Sequence, residues 1–118
     1  MSVSAIHPTD HHEDLVVDTR PYVTVVLPCY NEQAHVVLEL ERITAAMDES
    51  GYSYELLVID DKSTDNTLSV LREVAPKFPN MRLMPFRRNG GSGTARRIGT
   101  QEARGRIVVW TDADMTYP

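Results

Sequence analysis

Asp112 and Asp114 stand two residues apart at the end of a short apolar run, Ile107-Val108-Val109-Trp110-Thr111. In an extended chain, side chains at i and i+2 project to the same side. The run therefore predicts two carboxylates side by side at the carboxyl end of a buried strand. Carboxylates that close repel each other unless a cation lies between or beside them. Hard oxygen ligands suit Mg²⁺ or Mn²⁺, and Mg²⁺ is commonly held by one or two carboxylates together with substrate phosphates. The pair thus predicts a metal site for a phosphate-bearing ligand.

Two further polar stretches follow apolar runs in the same way. Pro21 to Leu27 is rich in β-branched residues and reads as a buried parallel strand that Pro28 ends. Tyr30, Asn31 and Glu32 come next, and from Glu32 to about Ser50 the pattern is helical, with Val36, Val37, Leu40, Ile43, Ala46 and Met47 recurring at threes and fours. Asn31 is the expected N-cap of that helix and Gly51 its stop. Tyr54 to Ile59 reads as a second strand, leading into Asp60 and Asp61. Ser63 or Thr64 is the expected cap of a second helix, with Asp65 in its first turn, a buried face of Leu68, Val70, Leu71 and Val74, and an end at Pro76 and Pro79. Met81 to Pro85 is a short third strand. A helix from about Thr94 to Ala103 follows Asn89-Gly90-Gly91-Ser92-Gly93, with Gly105 closing it, and Ile107 to Thr111 is the fourth strand.

Strands alternating with helices predict an α/β fold with a mostly parallel sheet. The carboxyl ends of parallel strands share one edge, where such sheets bind ligands. The loops after strands one, two and four can therefore converge on one ligand. A carboxylate of Asp60 or Asp61 at that edge could accept hydrogen bonds from a base or ribose. Gly-Gly-Ser-Gly before a helix suits a phosphate cradle. It matches neither G-x-x-x-x-G-K-[ST] nor G-x-G-x-x-G well, and a tight turn explains it equally. Arg96 and Arg97 face different ways on that helix, so one can reach a phosphate while the other is solvated. Trp110 reads as core, and Cys29 as a small buried residue with no nucleophilic role.

The bulk composition fits this picture. With 118 residues, 42% hydrophobic and 25% charged, the chain can build one domain with a real core. A net charge of −5 argues against a general nucleic-acid binder. The segment Arg82–Arg106 carries seven arginines against one acid, Glu102, which suits an anionic ligand. A single cysteine excludes an internal disulfide and fits a reducing compartment. Residues 1–20 are polar, hold His7, His11 and His12, and read as a mobile tail without a metal site. No signal peptide and no run near the roughly 20 residues of a membrane span is visible.

Four of these motifs together resemble family 2 glycosyltransferases with the GT-A fold. They are Pro28-x-Tyr30-Asn31-Glu32, Val58-Ile59-Asp60-Asp61-x-Ser63-x-Asp65-x-Thr67, Asn89-x-Gly91-x-Gly93-x-Ala95 with Gly99, and Asp112-Ala113-Asp114. Within that family the chain is most similar to polyprenyl-phosphate sugar transferases of the dolichol-phosphate mannose synthase type. The resemblance covers residues 22–118 and implies a Rossmann-like three-layer sandwich, of which 21–118 is the N-terminal, nucleotide-sugar-binding half. It implies that Pro28, Tyr30 and Glu32 border the nucleotide, that Asp61 contacts the base with Asp60 in support, and that Asp112 lies near ribose and metal. Asp114 would ligate the Mg²⁺ or Mn²⁺ that bridges the donor diphosphate, and Arg97 is the arginine expected at a phosphate. Family members often carry Gln two residues after the last Asp, where this chain has Thr116. Lys62 stands where Gly or Asn is common.

The expected activity is sugar transfer from GDP- or UDP-hexose to a polyprenyl phosphate at the cytoplasmic face of a membrane, with peripheral contact through sequence beyond Pro118. A phosphate acceptor is already ionised and requires no strong general base, and none stands out. The chain alone is expected to turn over little. The alternatives are a nucleotidyltransferase, which tends to carry a Gly-rich loop after its first strand, a non-catalytic nucleotide-sugar-binding module, and a plain α/β domain whose loop acids are only caps.

Overall fold

The computed structural model describes residues 18–111. Its elements run β1 (Val23–Cys29), α1 (Val36–Ser50), β2 (Tyr54–Asp60), α2 (Thr67–Val74), a 3₁₀ turn at Ala75–Lys77, β3 (Met81–Pro85), α3 (Gly91–Glu102) and β4 (Ile107–Trp110). The four strands form one parallel sheet in the order β3-β2-β1-β4. The chain steps outward from β1 to β3, then returns across the sheet to place β4 on the other side of β1. Right-handed crossovers in opposite directions put their helices on opposite faces. Accordingly α1 and α2 cover one face, where Val36, Leu40 and Leu71 pack on Val25, Leu27, Leu56 and Val58. On the other face Ala95 of α3 packs with Val26, Leu57 and Ile59. The order of strands reverses between β1 and β4, and in such sheets ligands bind beside that reversal, at the carboxyl edge.

The two central strands are buried almost throughout, which is why they read as unbroken apolar runs. β1 extends two residues past its predicted end, through Pro28 to Cys29. Proline is tolerated there because of the side its nitrogen faces. Thr111 N–H donates to the Val26 carbonyl, so alternation turns the Pro28 nitrogen toward β4 as well, one ladder position further on. The β1–β4 pairing ends at Val26 and Trp110 among the described residues, so no donor is missed.

Two glycines set how closely elements approach. A Cβ at Gly99 would lie 2.6 Å from Val26 Cγ1 and 2.9 Å from Ile59 Cδ1, so only glycine lets α3 rest on the sheet. A Cβ at Gly105 would lie 2.5 Å from the Thr24 backbone nitrogen. Gly105 therefore serves the approach of the α3–β4 turn to β1, whereas α3 itself ends at Glu102. Gly51 ends α1 as expected, in the left-handed conformation at φ 78°.

Several local expectations are corrected. Asn31 is not the N-cap of α1, which begins at Val36. A turn from Glu32 intervenes, its carbonyl accepting the His35 and Val36 N–H groups. Ser63 and Thr64 do not cap α2, which starts at Thr67, and Asp65 lies just before it, accepting the Thr67 N–H at 2.8 Å. α3 starts at Gly91, inside the glycine segment, three residues before its predicted start. Pro76 lies within the 3₁₀ turn. Trp110 is 51% exposed, not core, because β4 is an edge strand, and its Nε1 donates to Thr100 Oγ1 on α3. The tail reading, with His7, His11 and His12, lies outside the described residues except for residues 18–20.

At the amino edge, Glu55 of β2 joins three strands. Its carboxylate accepts from Thr24 Oγ1 at 2.6 Å, from the Arg104 N–H at 2.7 Å, and from Arg82 at 3.2 Å. Burial pushes this carboxyl up, but those hydrogen bonds and the Arg82 charge together outweigh it and hold it below its ordinary value.

Candidate functional site

At the carboxyl edge, β1 and β2 run in register with Cys29 opposite Asp60, so the loops that follow them start side by side. The Asp61 N–H extends this pairing by donating to the Cys29 carbonyl at 2.8 Å. The Phe86 N–H donates to the Asp60 carbonyl at 2.8 Å, which brings the end of β3 alongside. Three strand ends thus meet around Asp60 and Asp61.

The two acids are buried and do different things. Asp61 is 3% exposed, and its Oδ1 and Oδ2 accept the N–H groups of Gly90 and Gly91 at 2.7 and 2.8 Å. Asn89 Nδ2 adds a bond to the Asp61 carbonyl at 3.0 Å. The N-terminal N–H groups of α3 therefore already hold an anion, supplied by the protein. Within the glycine segment the Gly90 and Gly91 N–H groups thus serve the turn onto Asp61. Gly91 takes a φ of 81°, which glycine adopts without strain. Asp60 is 1% exposed, and its Oδ2 accepts weakly from the Ser63 N–H at 3.3 Å. Its Oδ1 is buried without a hydrogen-bond partner among the described residues. A buried carboxylate oxygen without a partner is costly.

The loop after β1 leans on the loop after β2. Asn31 sits at φ 53°, a conformation Asn tolerates better than most residues. Its N–H donates to Ser63 Oγ at 3.0 Å, and its Oδ1 accepts from the Thr64 and Asp65 N–H groups at 2.8 and 3.2 Å. The Glu32 N–H donates to Thr67 Oγ1 at 2.9 Å, and the Thr67 hydroxyl in turn bonds Asp65 Oδ1. Pro28 is buried, Glu32 half-buried and Tyr30 exposed. Cys29 is buried, and burial, with the charges of Asp60, Glu32 and Glu39, pushes its thiol far above the ordinary value. It stays protonated, which agrees with a packing role.

Arg97 is exposed on α3 and Arg96 half-buried. No hydrogen bond or ion pair joins Arg97 to the three loops among the described residues. Asp112 and Asp114, on which the metal reading rests, lie outside the described residues, as does Thr116. Among the described residues no group of three or more His, Cys, Asp or Glu side chains is placed to hold a metal. The acidic pair supplies oxygen donors of the kind Mg²⁺ and Mn²⁺ take, and the carboxyl edge toward which β4 runs carries a buried carboxylate. No described helix is long and apolar enough to cross a membrane.

Sequence reasoning missed the fastening role of Asn31 and the grip of Asp61 on Gly90 and Gly91. Both partners are distant in sequence, so a local capping rule assigned Asn31 to its own helix. The signal available was topological: adjacent parallel strands bring their following loops together.

Comparison with known proteins bears on this geometry. The family model described as "Glycosyl transferase family 2" matches residues 24–118. An undecaprenyl-phosphate 4-deoxy-4-formamido-L-arabinose transferase of Edwardsiella ictaluri is 37% identical over 102 residues, covering 85% of this chain and 31% of its own length. A dolichyl-phosphate β-glucosyltransferase of Trichomonas vaginalis is 33% identical over 98 residues, covering 79% of this chain and 29% of its own. Among solved structures, a mannosyltransferase from Pyrobaculum calidifontis in complex with GDP-Man and Mn²⁺ superposes with a TM-score of 0.70 at 36% identity, covering 84% of this chain and 29% of that one. The chain thus spans about a third of the length of these relatives. With the parallel sheet, its switch between β1 and β4, and the family model matched from β1 to the last residue, the chain belongs to glycosyl transferase family 2, as the N-terminal portion of a GT-A fold.

Proposed function

We propose that this chain forms the donor-binding half of a glycosyltransferase that moves a sugar from a nucleoside-diphosphate hexose to a polyprenyl phosphate, with Mg²⁺ or Mn²⁺ at the diphosphate. The observation that carries the reading is the buried Asp60 oxygen without a partner among the described residues, set at the carboxyl edge where the ends of β1, β2 and β3 meet. A base or ribose donor group is the natural partner for it. Pro28, Tyr30 and Glu32 would wall the base. Asp61, whose oxygens each keep a lone pair beyond their glycine bonds, would add an acceptor. Arg97 would reach the diphosphate from α3.

In this reading Asp112 and Asp114 would hold the metal at the donor diphosphate. The metal, when bound, would neutralise charge on the departing diphosphate. The acceptor phosphate oxygen is ionised at neutral pH, so the protein's part is to align and desolvate it, not to remove a proton. The names of the undecaprenyl- and dolichyl-phosphate relatives support this acceptor class, and the GDP-Man and Mn²⁺ of the mannosyltransferase support the donor and ion. The relatives' lipid acceptors also favour peripheral membrane contact at the cytoplasmic face.

The test is transfer of labelled hexose from GDP- or UDP-sugars to a polyprenyl phosphate by the full-length protein, with Mn²⁺ and with EDTA. Metal-dependent glycolipid product is expected. Transfer that persists in EDTA, or label that appears only on sugar hydroxyl acceptors, would overturn the proposal.

A further inference from the structure

Most of the hydrogen bonds between the loops after β1 and β2 centre on Asn31. Its backbone is in the left-handed region at φ 53°, so it reverses the chain between Tyr30 and Glu32. Its side chain does not act on its own loop. Oδ1 accepts from two backbone N–H groups, those of Thr64 and Asp65 at 2.8 and 3.2 Å, in the neighbouring loop. Two N–H donors on one atom fix that atom as the amide oxygen, so the remaining Nδ2 faces Thr64 Oγ1 at 3.1 Å as a donor. The Asn31 N–H adds Ser63 Oγ at 3.0 Å. On either side of Asn31 the loop is pinned again, by the Cys29 carbonyl to the Asp61 N–H and by the Glu32 N–H to Thr67 Oγ1. Gln33 Oε1 also accepts the Asn66 N–H, at 3.0 Å.

Residues 63–65 carry no ladder bonds of their own, since β2 has ended and α2 has not begun. Their amides find partners chiefly through Asn31. The loop that holds Asp60 and Asp61 and the loop that holds Tyr30 and Glu32 are therefore one mechanical unit, and Asn31 is the fastener. We infer that Asn31 is a positioning residue: it sets the distance between the Tyr30–Glu32 wall and the Asp60–Asp61 pair, and so the width of the slot that takes the nucleoside. It need not touch the ligand. This inference rests on the donor-site reading, and it adds a residue to which that reading gives no contact with the donor.

Two substitutions separate its parts. Asn31→Gly keeps the left-handed backbone and removes the side-chain bonds. Asn31→Asp keeps an acceptor for both N–H groups, and the Thr64 hydroxyl can turn to donate to its second oxygen. Amide hydrogen exchange at Thr64 and Asp65 reads the fastening itself, and calorimetric titration of GDP and UDP with Mn²⁺ reads the slot. Asn31→Gly is expected to speed exchange at those two amides and to weaken the preferred nucleotide about tenfold or more. Asn31→Asp is expected to restore the slow exchange and most of the affinity. An Asn31→Gly variant indistinguishable from the unaltered chain in both readouts would overturn the inference, as would an Asn31→Asp variant no better than Asn31→Gly. Failure of the unaltered chain to bind either nucleotide would count against the donor-site reading, whereas the fastening would still stand or fall on the exchange rates.

Discussion

Lys62 shows in one residue what the loop after β2 asks of the chain. It sits at φ 60°, a conformation that costs a residue with a Cβ about 1–2 kcal/mol. It is exposed, and the strain is imposed by its neighbours: Asp61 is held by the α3 turn and Ser63 to Asp65 by Asn31. The residue that resembling sequences often carry there, glycine, would adopt the same backbone freely. Glycine also loosens the unfolded chain, which takes back part of the gain. Lys62→Gly should therefore raise unfolding free energy by about 0.5–1 kcal/mol, measured by urea denaturation. The same frame explains Asp60. Its Oδ2 has only a 3.3 Å bond and its Oδ1 none among the described residues, whereas both oxygens of Asp61 hold the α3 turn.

At the scale of elements, the boundaries were mostly legible because central strands and an amphipathic helix carry strong periodicity. β3 falls where the run Met81–Pro85 placed it, and β2 extends one residue beyond its predicted end. What was not legible depended on contacts across the sheet. Pro28 ends a strand by local rules, yet here its missing N–H faces a place where β4 offers no described partner. Trp110 reads as core by type, yet an edge strand leaves it half exposed. The nearness of the loops after β1 and β2 was legible, because topology alone brings parallel strand ends together. The division of labour between Asp60 and Asp61 was not, since it depends on where the α3 turn lands. α3 lands there because Gly99 lets it. Gly99→Ala would normally favour a helix, but its Cβ would collide with Val26 and Ile59. A net loss of about 1–3 kcal/mol is expected, read as a lowered melting temperature.

For the whole molecule, the two edges of the sheet carry opposite duties. The amino edge is a closed hydrogen-bonded network around Glu55, joining β1, β2, β3 and the α3–β4 turn, and it holds the frame. A carboxyl held below its ordinary value contributes stability that is present above the unfolded value near 4.3 and is lost as pH falls through the folded value. Acid should therefore destabilise the chain progressively below about pH 4, and Glu55→Gln should flatten that slope in denaturation curves taken across pH. The β4 flank is unfinished within the described residues, with Ile107 and Val109 each 44% exposed on an edge strand. The family relatives are about three times as long, so apolar surface left open on β4 is expected where the remainder of such a protein would pack. In the proposed function the carboxyl edge takes a nucleoside diphosphate through a divalent ion on the Asp112–Asp114 pair. Calorimetric titration of GDP and UDP, with Mn²⁺ and with EDTA, against the chain and an Asp114→Ala variant tests this most directly. Binding that EDTA or the substitution weakens by about tenfold or more is the predicted result. Equal affinity in all four conditions, or no binding of either nucleotide by a folded chain with Mn²⁺ present, would contradict it.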